Sequence, residues 1–421
     1  MKYVFDSLYT IIPDNKKYIV YCGNLRKAIK LSYTKMYLYK TIVENQYLMS
    51  TEKMLSEYGI SKKDYESFIN QMVERKIIFT SKKDFDKEDF GHRYKKLVDK
   101  NKLMRVYLHV TQKCNLKCYY CYNKRNLNSD RRELSADEWK KVIFDLYSGG
   151  VREFVITGGE PTIRNDLEEI LSSIPNDCNV SVLTNGTLLK GSKLKILQYA
   201  SEVIVSLDSL EKKNNDSNRK NSSNYNVISN IENISDNQKK KIVVRSVITK
   251  NNVKDVVELR NYVKNKLNIK YITTGYLPNS KMEYDEFIPI KNEVNYNLKM
   301  NNLISCGACL AEIAVDCNGD IYPCQSMVKP EFCLGNILEK NWRNKIKEKK
   351  EKIFPNANIN EIEKCKECVY KYFCGNGCKA ITYNIYHNIN CCNYFFCEFY
   401  KENARNDIKK LFNNNKIDEK T

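Results

Sequence analysis

The sequence predicts an α/β fold: a parallel sheet built from six βα units, with a small hairpin-and-helix module before it and a cysteine-rich segment after it. Three observations predict this. From residue 104 onward, short β-branched runs alternate with runs of helical apolar spacing. The first 95 residues combine a Gly-Asn hairpin signal with two helical patterns. After about residue 300 the periodicity stops and cysteines take over.

In chain order, "KKYIVYCGNLRKAIKLS" reads as two strands around a turn at Cys22-Gly23-Asn24. "STEKMLSEYGISKKDYESFINQMVERKIIF" reads as two helices closed by a short strand, so residues 1–95 outline a winged-helix-like domain. DNA binding is the commonest use of that shape. The second helix, "SKKDYESFINQMVERK", mixes acids with bases and presents no clean basic face, which favours peptide or domain docking.

The six strand runs are "MRVYLHV", "EFVIT", "NVSVLT", "EVIVS", "KIVVRSVI" and "IKYITT". Between them "SADEWKKVIFDLYSGG", "DLEEILSSI", "GSKLKILQYA", "YNVISNIENI" and "VKDVVELRNYVKNKL" supply helical crossovers, which dictate a right-handed parallel array. Periodicity alone does not distinguish a partial barrel from an open doubly wound sheet. The last ~120 residues hold too few periodic apolar segments for an independent core, so metal centres are expected to supply the missing stability.

Composition narrows the function. The 421 residues carry a net charge of +19, but Lys and Arg are scattered, without a compact basic tract alternating with stacking aromatics. A solvated basic surface is the first reading and an acidic peptide partner the second; nucleic acid is disfavoured. The N-terminus lacks a signal-peptide pattern, and no apolar run approaches the ~18 residues of a membrane span, so a soluble cytoplasmic protein is expected. In that compartment seventeen cysteines imply metal or redox chemistry rather than disulfides.

"TQKCNLKCYYCYN" places Cys114, Cys118 and Cys121 at C-x3-C-x2-C just past the first strand. A structural zinc site normally takes four protein ligands. A four-iron cluster on three thiolates keeps one iron open to an outside ligand. The spacing, with aromatic Tyr120 before the last cysteine, resembles the signature of the radical S-adenosylmethionine enzymes, whose fold is a partial (β/α)6 TIM-like barrel. The resemblance implies a [4Fe-4S] cluster on these three cysteines, whose open iron chelates S-adenosylmethionine. It implies reductive cleavage to a 5'-deoxyadenosyl radical that abstracts hydrogen, with a flavodoxin- or ferredoxin-type electron donor. It further implies that Thr157, Gly158, Gly159 and Glu160, in "ITGGEP", hold the methionine amino group. Asn185 in "TNGT", Ser206 and Asp208 in "SLDS" and Arg219 in "DSNR" are the remaining expected cofactor contacts, although a surface arginine is an equal reading of Arg219.

The tail carries Cys309-x9-Gly319-x4-Cys324, then Cys365-x2-Cys368-x5-Cys374-x3-Cys378, then Cys397. This resembles the SPASM (twitch) domain of radical enzymes that act on peptides and proteins. The resemblance implies two auxiliary [4Fe-4S] clusters, three clusters in all. One is assigned to Cys306, Cys309, Cys324 and Cys378, the other to Cys365, Cys368, Cys374 and Cys397. The C-x2-C spacing leaves open whether both Cys306 and Cys309 ligate, and Cys391 and Cys392 rival Cys397. A pair of zinc ribbons is the alternative for this region.

The expected layout is therefore residues 1–95 as a leader-recognition domain, 100–290 as the barrel, 300–400 as the auxiliary iron–sulfur domain and 401–421 as a C-terminal helix or tail. The expected activity is a peptide maturase: the leader of a ribosomally made precursor peptide pairs along an exposed strand edge, and hydrogen abstraction then leads to a thioether or carbon–carbon crosslink. A sulfatase-type maturase or a peptide epimerase is the alternative. The former is disfavoured by Gln325, where that group has Asp. An iron–sulfur redox sensor that binds DNA is the reading from another class.

Overall fold

The computed structural model describes residues 3–88 (apart from 7–8, 24, 26, 46–50 and 58), 103–288 (apart from 221–223) and 306–414 (apart from 356–358). The predicted junctions near 95–100 and 290–300, the turn residue Asn24 and the end of the tail lie outside them.

The N-terminal module opens with β1 (Val4–Phe5), β2 (Tyr9–Asp14), β3 (Lys17–Cys22) and β4 (Lys27–Leu31); after three helices comes β5 (Ile78–Phe79), which pairs with β1. The predicted hairpin is β3–β4, with Val20 opposite Ile29. β2 completes a three-stranded antiparallel sheet in the order β2-β3-β4. The edges are therefore β2 and β4, and "KYIVY" is the central strand, bonded on both sides. Its run of buried residues has a matching cause, because both faces of the sheet are covered. Val20, Cys22, Ile29 and Leu31 pack on the module's own helices. Ile12, Ile19 and Tyr21 pack on Ile359, Ile362, Tyr372 and Phe373 of the cysteine-rich region.

The central sheet contains β6 (Arg105–Thr111), β7 (Glu153–Gly158), β8 (Asn179–Thr184), β9 (Glu202–Ser206), β10 (Ile242–Ile248) and β11 (Lys270–Gly275), all parallel and side by side in sequence order. All six lie on the predicted runs. Sequential order with helical crossovers winds the sheet in one direction, the geometry of a partial barrel. The array does not close on itself. Beyond β6 the sheet continues into β12 (Glu312–Val315), β13 (Asp320–Tyr322) and β14 (Gly335–Asn336), which the sequence reading missed because each is four residues or fewer.

Alternation along the strands sorts the two faces. Val106, Leu108 and Val110 enter the apolar layer under the helices with Trp139, Ile143, Phe154 and Val244. Tyr107, His109 and Thr111 therefore face the inside of the arc, as does Arg245 between Val244 and Ser246. The helix Ala136–Ser148 begins at a capping box: Ser135 Oγ accepts from Glu138 N–H, and the Glu138 carboxylate accepts from Ser135 N–H at 2.9 Å. Among the described residues no helix is long and apolar enough to cross a membrane.

Candidate functional site

The loop after β6 carries Cys114, Cys118 and Cys121 at the carboxyl ends of the strands, where α/β sheets place their sites. A chain of amides pins it. Asn123 Nδ2 donates to Gln112 Oε1 at 2.6 Å, Asn126 Nδ2 to Asn123 Oδ1 at 2.8 Å, and Asn126 Nδ2 also to Val328 O at 3.0 Å. Gln112 Nε2 donates in turn to the buried Asp316, whose other oxygen pairs with Arg131 at 2.8 Å. The cysteine loop is thus tied to the segment that follows β12.

"ITGGEP" braces the same loop from β7. Gly159 N–H donates to Thr111 O at 2.7 Å and Glu160 N–H to Lys113 O at 2.8 Å. Any Cβ would collide: one on Gly158 (φ +127°) would lie 2.2 Å from Thr111 O, and one on Gly159 2.2 Å from Lys113 O. Both glycines are required for this close approach. The Glu160 carboxylate is buried, and its Oε1 accepts from Thr162 N–H, Thr162 Oγ1 and Thr184 Oγ1. Among the described residues Oε2 accepts only Asn185 N–H, at 2.6 Å, which leaves it a lone pair for an outside donor. Asn185 also reaches the cysteine loop, its Nδ2 donating to Asn115 Oδ1 at 2.8 Å.

Asp208, Arg219 and Tyr120 form a second buried group. Arg219 Nε donates to Tyr120 Oη at 2.8 Å and to Asp208 Oδ2 at 3.1 Å, and Tyr120 Oη donates to the same Asp208 oxygen. Arg219 is 5 % exposed, so it is not a surface arginine. Ser206, half-buried, ends β9 two residues before Asp208.

The inner face adds residues that motif reading missed. His109 is fully buried, both ring nitrogens lack a partner among the described residues, and burial drives its pKa down to about 4, leaving the ring neutral at pH 7. Arg245 Nε is likewise buried and without a partner there. Tyr122 stands against His109, with ring centroids 6.2 Å apart, and its hydroxyl lies 3.4 Å from Thr157 Oγ1. Strand alternation was the available signal: it puts His109 and Arg245 on the face away from the apolar layer.

The thiols gather in three groups. Burial, then their mutual proximity, pushes Cys114 up to about 11 and Cys121 to about 12, and burial raises Cys118. Cys306, Cys309, Cys324 and Cys378 border one apolar cluster with Met327, Phe332 and Ala380, and Cys324 is raised by both Cys306 and Cys378 after burial. Cys365, Cys368, Cys374, Cys392 and Cys397 line a cavity of ≈ 560 Å³. Cys118, Cys374 and Cys378, one from each group, meet at a common apolar cluster that includes Tyr120, Tyr276, Ile381, Phe396 and Tyr400. Cys333 borders the same apolar cluster as the second group, while Cys22, Cys178 and Cys317 lie elsewhere, all three buried.

Among the described residues no three His, Cys, Asp or Glu side chains converge as on a single metal ion. Dispersed thiols suit a cubane, which takes its ligands around its corners. The first group fits such a cluster with one iron left open, and the two tail groups supply the four thiols that a closed one needs. Loading must release protons from the raised thiols.

Comparison with known proteins agrees with this geometry. Residues 108–263 match the Radical SAM superfamily, and residues 306–369 match SPASM, an iron–sulfur cluster-binding domain. The antilisterial bacteriocin subtilosin biosynthesis protein AlbA of Bacillus subtilis is 29 % identical over 329 residues, 68 % of this chain and 69 % of AlbA. A probable GTP 3',8-cyclase of Methanococcus maripaludis is 41 % identical over 107 residues, 25 % of this chain, which spans only 36 % of that relative. Among solved structures, anSMEcpe with bound AdoMet superposes with a TM-score of 0.57 at 20 % identity, covering 74 % of this chain and 98 % of its own. Streptococcus suis SuiB bound to its precursor peptide SuiA gives 0.54 at 18 %, covering 90 % and 96 %.

Proposed function

For a chain that carries a radical SAM domain followed by a SPASM domain, we propose the activity of a peptide maturase that crosslinks a ribosomally made precursor. The observation that carries this reading is the N-terminal sheet seated on the third thiol group, which joins a peptide-pairing edge to redox machinery. AlbA, named for subtilosin biosynthesis, and SuiB, solved with its precursor peptide, support it.

In this reading Cys114, Cys118 and Cys121 hold the first [4Fe-4S] cluster. Cys306, Cys309, Cys324 and Cys378 hold one auxiliary cluster, and Cys365, Cys368, Cys374 and Cys397 the other. Loaded with S-adenosylmethionine and supplied with electrons by a flavodoxin- or ferredoxin-type donor, the first site supplies hydrogen-atom abstraction by a carbon radical. Gly158 and Gly159 allow the backbone to close on the cysteine loop, and Glu160 Oε2 offers an acceptor to the methionine ammonium. Asn185 holds Asn115 in place. Ser206 and Asp208 stand at the end of β9, where the ribose would lie, and Asp208 with Tyr120 orients Arg219. Residues 1–95 bind the leader. Of the two outer strands, β2 is interrupted by Pro13, which lacks a donor, so β4, with Lys27 and Lys30, is the better edge for strand addition.

Arg219→Lys tests the cofactor assignment. A planar guanidinium anchored by its Nε–H to both Tyr120 and Asp208 has no lysine equivalent, and a charged hydrogen bond contributes about 1.5–3 kcal/mol. S-adenosylmethionine affinity, measured by equilibrium dialysis, should fall about 10- to 100-fold; an unchanged Kd would remove Arg219 from the site.

Fluorescence anisotropy with the leader of a precursor peptide encoded beside this chain tests the partner. Expected is selective peptide binding that weakens with salt if the leader is acidic. Sequence-selective binding of duplex DNA with no peptide binding would favour the redox sensor.

A further inference from the structure

Five thiols, not four, surround the cavity of the third group. The fifth is Cys392, which the spacing motif does not include. Cys365 and Cys392 are each 9 % exposed and pack in one apolar cluster, and both line the cavity together with Cys397. One buried asparagine fixes this arrangement. Asn376, held in the left-handed region (φ 64°), donates through Nδ2 to Cys391 O at 2.9 Å; its Oδ1 accepts from Asn393 N–H at 3.3 Å and from the Cys365 thiol at 3.8 Å. The backbone on both sides of Cys392 is therefore tied to the residue that also holds Cys365. Asn393 adds a bond from its Nδ2 to Thr382 Oγ1 at 3.2 Å. The adjacent cysteine points elsewhere: Cys391 donates to Asn388 O at 3.4 Å and does not line the cavity.

We propose that Cys392 and Cys397 share the fourth ligand position of the second auxiliary cluster, either thiolate closing it when the other is absent. This rests on the two-auxiliary-cluster reading above. Cys392 and Cys397 line the same cavity, so exchange requires the cluster to bond one sulfur instead of another in the same lining. The incoming thiol gives up its proton and the departing thiolate takes one, so charge and electron count are unchanged. The thiol not bound to iron stays in the lining of the same cavity, a polar neighbour that tunes cluster potential.

The test is iron and sulfide content, with the paramagnetic resonance spectrum of the reduced protein, on anaerobically reconstituted full-length chains. The unaltered chain should hold about twelve irons, four per cluster. Cys392→Ala and Cys397→Ala should each keep about twelve, the latter with a changed spectrum of the second auxiliary cluster. The double variant, left with Cys365, Cys368 and Cys374 and no closing thiolate, should lose the closed-cluster spectrum of the second auxiliary site that each single variant keeps. Cys391→Ala should match the unaltered chain. Loss of about four irons in either single variant, or a double variant whose second-auxiliary spectrum matches that of Cys397→Ala, would overturn the sharing. A count of eight or fewer in the unaltered chain would instead overturn the two-cluster reading beneath it. The signal of the first cluster, retained in every variant, reports that the chain has folded.

Discussion

Replacing Cys114, Cys118 and Cys121 together by alanine will reduce the iron content from about twelve to about eight per chain and lower release of 5'-deoxyadenosine to the enzyme-free background. The effect should be this large because the three sulfurs act as a unit. They sit on one loop, and among the described residues no other thiol group shares it. The loop should survive the change. It is held by Gln112, Asn123 and Asn126 and by the Gly158-Gly159 backbone, not by the thiols. The two auxiliary sites, built from residues after 306, should keep their clusters. Cofactor cleavage by the triple variant would mean that the reactive cluster lies elsewhere.

Tyr21→Ala will destabilise the protein by about 3–5 kcal/mol, the usual cost of removing a buried aromatic side chain. Tyr21 is 1 % exposed on the central strand β3, and its ring packs on that of Phe373 with centroids 3.7 Å apart. Phe373 precedes Cys374 and shares an apolar cluster with Cys365 and Cys392. The loss should therefore appear first as faster proteolysis and lower iron at the second auxiliary site, while the first cluster is retained. Tyr21→Phe should stay within about 1 kcal/mol of the parent, because the ring contact survives. Deleting residues 1–95 should have the same consequence on a larger scale, exposing Ile359, Ile362, Tyr372 and Phe373. A deletion variant with full iron content would show that the contact carries no such weight. A free-standing module would be removed with loss of peptide binding and processing and with cofactor cleavage largely intact; the packing argues for a wider loss.

What was legible in the sequence depended on local physics. The six β-branched runs and their crossovers could be read because strand and helix periodicities are properties of short segments. The cysteine triplet and the Gly-Gly turn were legible because a metal loop and a close backbone approach each demand particular residues at fixed spacing. The same reasoning located β3 and β4 but not that both faces of their sheet are covered, since a strand buried on both faces differs from an exposed one only in what covers it. The short strands β12 to β14 left no periodic signal at all.

Tertiary structure alone decided the rest, because each remaining feature depends on residues far apart in sequence. Burial distinguished a buried, paired Arg219 from a surface one, through Asp208 and Tyr120, the latter about a hundred residues away. Strand order placed His109 beside Tyr122 on the inner face. Packing joined the N-terminal sheet to the auxiliary thiols, and Asn376 turned Cys392 inward and left Cys391 outside. Spacing motifs count residues along the chain, whereas a ligand set is chosen by which side chains the folded backbone directs at one cavity.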